Sequence, residues 1–300
     1  MTGPPPATAA VRLAVRRVLP AGPLVAAVSG GADSLALAAA LAFERPGSGA
    51  LVVDHGLQAG SAEVAARAAE QCRDLGLEAR VLTASGAGDS AGGPEAAARE
   101  VRYALLEQHA SEATVLLGHT LDDQAETVLL GLARGSGTRV LAGMPAARGR
   151  YLRPLLEVSR ATTRQACVEA GLVPWEDPHN LDPAYARVRV RQALAVLDQA
   201  LGPGLTTALA RTAQLARQDA DALDALACPT DDVGQLEQLP AALLTRSLKG
   251  WAEQQTGRAV TYAHVRALAA LVTDWRGQGP VALPGGGAVR REGRRLAFDA

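Results

Sequence analysis

Apolar residues along this chain alternate between two spacings. Short, mostly apolar runs fall at residues 24–28, 50–53, 79–82 and 114–117, with Arg80 and Thr114 the polar exceptions. Each is long enough for a buried strand and too short for a core helix. Between them, apolar positions recur at helical spacing over residues 35–43, 62–75 and 95–111, and after the fourth run over 121–133. Strands alternating with helices predict right-handed βαβ units and a parallel sheet covered on both faces, an α/β Rossmann-like domain. Residues 84–94, rich in Gly, Ser and Ala, read as a loop, with Pro94 just inside the start of the next helix.

Beyond the sheet the pattern changes. Residues 159–164, Ser-Arg-Ala-Thr-Thr-Arg, open a helix that ends near Gly171, and Pro174, Pro178 and Pro183 break up the loop that follows. From 184 to about 226 the pattern is almost continuously helical, interrupted at Gly202-Pro203-Gly204. A second domain is expected to begin inside this stretch, dividing the chain into residues 1–197 and 198–300. It should be smaller and mainly helical. Near its end Pro284-Gly285-Gly286-Gly287 separates apolar runs at 281–283 and 288–290, which predicts a hairpin.

Composition narrows the class. Of 300 residues, 48% are hydrophobic, ample for a core, but only 3% are aromatic, so that core is Leu, Val and Ala. Cys72, Cys167 and Cys228 are far apart and form no C-x-x-C, which excludes a disulfide framework or a cysteine metal site and fits a reducing cytosol. The longest apolar stretch, 35–43, is too short to span a bilayer, and no apolar region precedes a cleavage site near the N-terminus. A soluble cytoplasmic protein without a membrane partner is expected. The net charge of −1 advertises no nucleic acid, although arginines outnumber acids between 134 and 191 and Arg290, Arg291, Arg294 and Arg295 crowd the end. A solvated basic face explains such clusters as well as RNA does. Lys249 is the only lysine.

The chemistry concentrates after the strands, where open parallel sheets bind ligands. After the first comes Ser29-Gly30-Gly31-Ala32-Asp33-Ser34. Glycines let the backbone bend close to an anion, and the helix that follows aims free N–H groups at it. No lysine completes a Walker loop and no G-x-G-x-x-G is present. Ser29 and Ser34 can donate to phosphate oxygens. Asp33, expected at an exposed loop-to-helix junction, has a use beside phosphate only through a cation, which implies Mg²⁺. A plain αβ turn is the alternative. Asp54-His55 ends the second strand, as a cleft pair or as a turn Asp with a surface His. Residues 118–127, Gly-His-Thr-Leu-Asp-Asp-Gln-Ala-Glu-Thr, follow the fourth strand. Asp123 and Glu126 share a helix face that suits an ammonium group or Mg²⁺. An N-cap cluster explains Asp122 well, and His119 and Glu126 less well.

SGGADS, VVDHGL at 52–57, EAAAREVRY at 95–103 and GHTLDDQAETVLLGLARGSGTRVLAGM at 118–144 together resemble the bacterial tRNA(Ile)-lysidine synthetases of the ATP pyrophosphatase (PP-loop) superfamily. The likeness continues through RPLL at 153–156, EDPHN at 176–180, RVRVR at 187–191 and LPGG at 283–286, and it is to the short form of the family. Val188 departs from the family's usual Asn, and Ala195-Val196 stands where a Pro is common. The resemblance implies ATP- and Mg²⁺-dependent joining of free L-lysine to C2 of the wobble cytidine of a tRNA(Ile) with a CAU anticodon, through an adenylated cytidine. It implies that residues 29–34, with Asp54 and His55, hold ATP, and that Asp33 carries Mg²⁺. Asp123 and Glu126, with Arg187 or Arg191, would hold lysine. Arg99 and His119 would lie beside the adenylated intermediate. The arginines 290, 291, 294 and 295 are expected to meet tRNA phosphates. A homodimer is left open. The competing readings are a tRNA thiolase, which calls for a cysteine at the strand ends, an amidating ligase, which needs an ammonia source, and a catalytically silent RNA-binding relative.

Overall fold

The four apolar runs become strands β1 (Leu24–Val28), β2 (Gly49–Asp54), β3 (Glu78–Thr83) and β4 (Thr114–Leu117) in a computed structural model that describes residues 3–54, 56, 60–84, 94–135 and 137–300. β1 pairs in parallel with β2 on one side and β4 on the other, so Ala27 faces both Leu51 and Leu117. The short strands β5 (Ala147–Arg148) and β6 (Tyr151–Leu152), absent from the sequence expectation, extend the sheet to the order β3-β2-β1-β4-β6-β5, with β5 antiparallel. Chain order reverses between β1 and β4. The crevice past their C-terminal ends is therefore the topological switch point, where such sheets bind ligands.

Helix α1 (Pro6–Arg16) was not legible in the sequence. It buries only Ala7, Val11 and Val15, one residue per turn, in the core under the sheet. Glu169 caps it, accepting from the Thr8 amide and hydroxyl at 2.7 Å each. Helices α2 (Ala32–Glu44), α3 (Ser61–Asp74), α4 (Pro94–His109) and α5 (Leu121–Ala133) fall within a few residues of their expected spans. After α6 (Thr138–Leu141), α7 (Arg160–Glu169) begins at Ser159, whose hydroxyl accepts from the Thr162 amide at 3.1 Å. α8 (Ala186–Leu201) and α9 (Leu205–Leu226) are separated where Gly202 and Gly204 take φ of +99° and +101°, a conformation that favours glycine.

The chain forms two compact units, residues 1–215 and 216–300. In the second, α10 (Val233–Leu236), α11 (Ala241–Thr256) and α12 (Tyr262–Thr273) pack their buried leucines, Leu236, Leu248, Leu268 and Leu271, with Val289 and Leu296 of a small antiparallel sheet. That sheet runs β7 (Val281–Ala282), β8 (Ala288–Glu292), β9 (Arg295–Asp299). β7 and β8 are the expected hairpin. The second hairpin, β8 to β9, is hidden in the sequence by its arginines.

Candidate active site

The turn after β1 is built for close approach. Gly30 has φ of +84°, and the Ser34 hydroxyl accepts from the Ser29 amide at 3.1 Å while donating to the Gly31 carbonyl at 2.9 Å. Gly31 caps α2 with no side-chain bond, so the first-turn amides of α2 carry no side-chain cap. The Trp175 amide donates to the Gly30 carbonyl at 2.9 Å and ties the turn to the loop after α7. On the other side, a Cβ on Gly118 would lie 3.1 Å from the backbone of Asp33 and Ser34. Glycine there lets the end of β4 meet the turn at residues 29–34.

Thr120 and Asp123 form the capping box of α5: the Thr120 amide and hydroxyl donate to Asp123 Oδ2 at 2.8 and 2.9 Å. The capping carboxylate is thus Asp123. Asp122 instead accepts from the Arg160 amide at 2.7 Å, capping α7.

The Arg160 guanidinium is the hub of the acidic group. It lies 2.8 Å from Asp123 Oδ1, 3.2 Å from Glu126 Oε1 and 3.6 Å from Asp33 Oδ2. Arg191 reaches the same Glu126 oxygen at 3.0 Å. Glu126 is only 1% exposed, and its second oxygen, Oε2, has no hydrogen-bond partner. Asp33 is half-buried rather than exposed, because α7 covers it: the Thr163 hydroxyl donates to Asp33 Oδ1. Burial raises the Asp33 carboxyl above its usual range despite that bond. Burial also acts to raise Asp123, but Arg160 and the Thr120 bonds outweigh it and hold that carboxyl low. Arg160 keeps its proton more firmly than usual, since the four acids around it outweigh burial.

Across from the acids lies a basic group. Arg99 and Tyr103 are one turn apart on α4, and Arg99 Nη2 meets the Tyr103 hydroxyl at 3.3 Å. Arg153, just past β6, donates to the same hydroxyl at 3.4 Å and to the Pro145 carbonyl at 2.9 Å. Arg102 stands with its guanidinium carbon 5.7 Å from the Tyr103 ring centre. His119, half-buried, has Nδ1 unpartnered. Burial first, then Arg102, Arg153 and Arg187, outweigh Asp123 and push its pKa down to about 3.

The other expected residues divide. Asp54 is buried and accepts from the Gly56 amide at 2.9 Å, as a turn Asp does; His55 lies outside the described residues. Arg187 is half-buried on α8, and Val188 is buried there as an apolar residue. In the second unit the four arginines are not four free cations. Arg290 pairs with Glu292 and Asp299, Arg295 with Asp231, and Arg291 with Glu237. Arg291 also donates to the Leu271 and Val272 carbonyls at 3.0 and 3.2 Å, closing the end of α12. Arg294 is exposed.

Sequence reasoning missed Arg160, Thr163, Arg102, Arg153 and Gln124. Gln124 is buried and brackets Met144, accepting from its amide at 2.7 Å and donating to its carbonyl at 3.0 Å. Arg160 had a signal. A cation in the first turn of a helix opposes the helix dipole, so it needs anions from elsewhere. Among the described residues no group of three or more His, Cys, Asp or Glu is placed to hold a metal ion.

Comparisons with known proteins agree with this layout. A PP-loop domain model matches residues 10–197, and a TilS substrate binding domain model matches residues 232–297. The tRNA(Ile)-lysidine synthase of Thermobifida fusca (strain YX) is 54% identical over 326 residues, covering 100% of both chains. That of Streptomyces coelicolor is 49% identical and covers 99% of each. In fold, the chain is similar to the U34-tRNA thiolase NcsA from Methanococcus maripaludis, with a TM-score of 0.57, 19% identity, and coverage of 70% of this chain and 80% of that one.

Proposed function

The chain belongs to the tRNA(Ile)-lysidine synthase family, and we propose that it uses ATP to join free L-lysine to C2 of the wobble cytidine of a tRNA(Ile) with a CAU anticodon. The C2 oxygen of the cytidine attacks the α-phosphorus of ATP, the bond to the β-phosphate breaks, and pyrophosphate leaves. The ε-amine of lysine, its ammonium proton passed to water, then attacks C2. The C2–O bond breaks and AMP leaves.

Ser29 and the first-turn amides of α2 receive the departing pyrophosphate where its charge develops, as pre-aimed donors, while Ser34, whose hydroxyl already donates to the Gly31 carbonyl, holds the turn in shape. Asp33 is the carboxylate beside this loop. One carboxylate plus phosphate oxygens and waters suits Mg²⁺, which needs no protein-built cage. Mg²⁺ held there would neutralise charge on the leaving pyrophosphate. Asp54 turns the chain at the end of β2, beside the nucleotide.

Lysine is held by Glu126, with Asp123 and Arg191 around it. The observation that carries this is the bare Oε2 of a carboxylate that is almost wholly buried. A buried acceptor without a partner costs about 1–3 kcal/mol, which an ammonium group would recover. Asp123 has both oxygens engaged, by Thr120 and by Arg160, and acts by charge. Arg99 and His119 flank the adenylated cytidine, and Arg187 and Arg191 approach from α8. The second unit offers Arg290, Arg294 and Arg295 to tRNA phosphates, while Arg291 holds the fold.

Sulfur transfer is disfavoured by the cysteines. Burial pushes the Cys72 thiol up to about 11 and Cys167 to about 12, so neither supplies a thiolate at neutral pH. No helix among the described residues is long and apolar enough to cross a membrane, and we place the reaction in the cytoplasm. The test is direct: supply ATP, Mg²⁺, radiolabelled lysine and a tRNA(Ile) with a CAU anticodon. Lysine entering the tRNA with release of AMP and pyrophosphate is expected. Lysine-independent turnover, or none, overturns the reading.

A further inference from the structure

We propose that Arg102 and Arg153, gathered around Tyr103, form a clamp for one of the two RNA backbone phosphates that flank the modified cytidine. This rests on the lysidine-forming reading above and gives the RNA backbone a contact in the first unit, where only the cytidine itself has been given partners.

Three guanidiniums meet at one tyrosine. Arg99 and Arg153 both donate to its hydroxyl, and Arg102 faces its ring. Arg153 is 6% exposed, and Nε of both Arg153 and Arg102 is buried without a hydrogen-bond partner. Among the described residues neither arginine forms an ion pair with a carboxylate. Buried charges are ordinarily paired, so two unpaired guanidiniums side by side describe a site that lacks its anion. The field of this group is felt at His119, which Arg102 and Arg153 help to hold neutral. Two guanidiniums with free N–H donors suit the non-bridging oxygens of a phosphodiester, which accept in a fork.

The fold separates this anion from the phosphates of ATP. The phosphate loop follows β1, whereas Arg153 follows β6, with β4 between them. Adjacent strands lie about 4.8 Å apart, so the two sites are roughly 10 Å apart across the sheet. The acids on Arg160 and the Gly118 contact stand at the β1–β4 seam. A cytidine that enters such a crevice must leave its stack and carries its own phosphodiesters with it. They arrive on the side of the reacting base away from pyrophosphate, which is the β4–β6 side.

The experiment uses the full chain and an anticodon stem-loop RNA bearing the CAU anticodon, with binding measured at several salt concentrations and without lysine. Among the described residues the Arg102 side chain makes no hydrogen bond, so Arg102→Gln tests the clamp with the least structural disturbance. It should weaken RNA binding roughly 10-fold, the weight of a charge-assisted hydrogen bond. It should also lower the slope of log affinity against log salt by about 0.7–0.9, one phosphate contact. Arg102→Lys should restore the slope. ATP affinity without RNA should stay within about twofold. A stem-loop with a single methylphosphonate at one flanking position should bind the wild type roughly 10-fold more weakly, and Arg102→Gln should lose nothing further on it. An unchanged salt slope, or equal loss on the methylphosphonate RNA in wild type and variant, overturns the clamp. So does a fall in ATP affinity matching that for RNA, which would assign the arginines to the nucleotide. Because binding is read without turnover, failure to form lysidine would sink the parent reading and leave this measurement standing.

Discussion

Glu126→Gln perturbs one buried charge with two separate consequences. The carboxylate takes Arg160 at 3.2 Å and Arg191 at 3.0 Å on Oε1 and leaves Oε2 bare. Glutamine keeps the shape and loses the charge. Removing one partner of a fully buried ion pair costs roughly 3–5 kcal/mol. Here Arg160 retains Asp123 at 2.8 Å and Asp33 at 3.6 Å, and Arg191, with a side chain 38% exposed, can turn to water. The loss should therefore fall below that range, at about 1–3 kcal/mol. In a domain of roughly 200 residues each kcal/mol moves Tm by about 2–4 °C, so a fall of roughly 2–12 °C is expected in a thermal melt. The second consequence is at the bare oxygen. If it receives lysine's ammonium, a charge-assisted bond of about 1.5–3 kcal/mol is lost, and the KM for lysine should rise roughly 10- to 100-fold. Lysine-dependent AMP release gives that constant, and the KM for ATP should hardly move. A lower Tm with an unchanged lysine KM would make Glu126 a counter-ion for arginines and nothing more. An equal rise for ATP would place this carboxylate on the metal instead.

Asp33→Asn should cut the modification rate by about a thousandfold, several kcal/mol of transition-state stabilisation, yet leave Tm level or higher. The sign follows from the raised Asp33 pKa: the ionised carboxylate is less favourable folded than unfolded, so it weakens the fold above its folded pKa and not below its unfolded one. Near-normal turnover would sink the phosphate-loop role. His119, held neutral down to about pH 3, binds its proton only in the unfolded chain between there and its usual pKa near 6.5. Its contribution is complete above about pH 6.5 and shrinks as pH falls, by up to about 2 kcal/mol at pH 5. Urea unfolding at pH 7 and pH 5 should show that difference shrink in His119→Gln; identical pH dependence in the two proteins would refute it. Arg291→Ala should destabilise the second unit by about 1–3 kcal/mol, because a side chain 14% exposed closes the end of α12. Arg294→Ala should leave the melt alone and lower the salt slope of tRNA binding; the reverse pattern would exchange their roles.

The parts of this fold legible in the sequence are those where burial writes a continuous signal. β1 and β4 lie inside the sheet, so Leu24–Val28 and Thr114–Leu117 read as almost wholly apolar runs and their ends came out to the residue. α1 gives one inward residue per turn among prolines and arginines, too thin a stripe to stand out. The acids after β4 were visible as a cluster, but not which of them caps the helix, because Thr120 selects Asp123 through backbone geometry. The terminal arginines looked like one patch because they are close in sequence. On a strand, neighbours such as Arg290 and Arg291 point to opposite faces, so one meets acids of the sheet and the other the end of α12.

What no spacing could show is that the site is electrically divided. On the β1 and α5 side, four carboxylates, Asp33, Asp122, Asp123 and Glu126, face two guanidiniums, Arg160 and Arg191, which leaves two negative charges when all are ionised. Arginine suits that internal role, since it stays protonated at any working pH and keeps Asp123 ionised. A lysine in its place could surrender its proton in a buried site. On the α4 and β6 side, Arg99, Arg102 and Arg153 crowd one tyrosine. A reaction that brings together an ammonium group and a phosphate-bearing nucleotide needs that division, because each substrate then enters against its own counter-charge. Reversing one half tests it: Arg102→Glu should weaken RNA binding far more than Arg102→Gln does, and should leave lysine affinity unchanged or tighter.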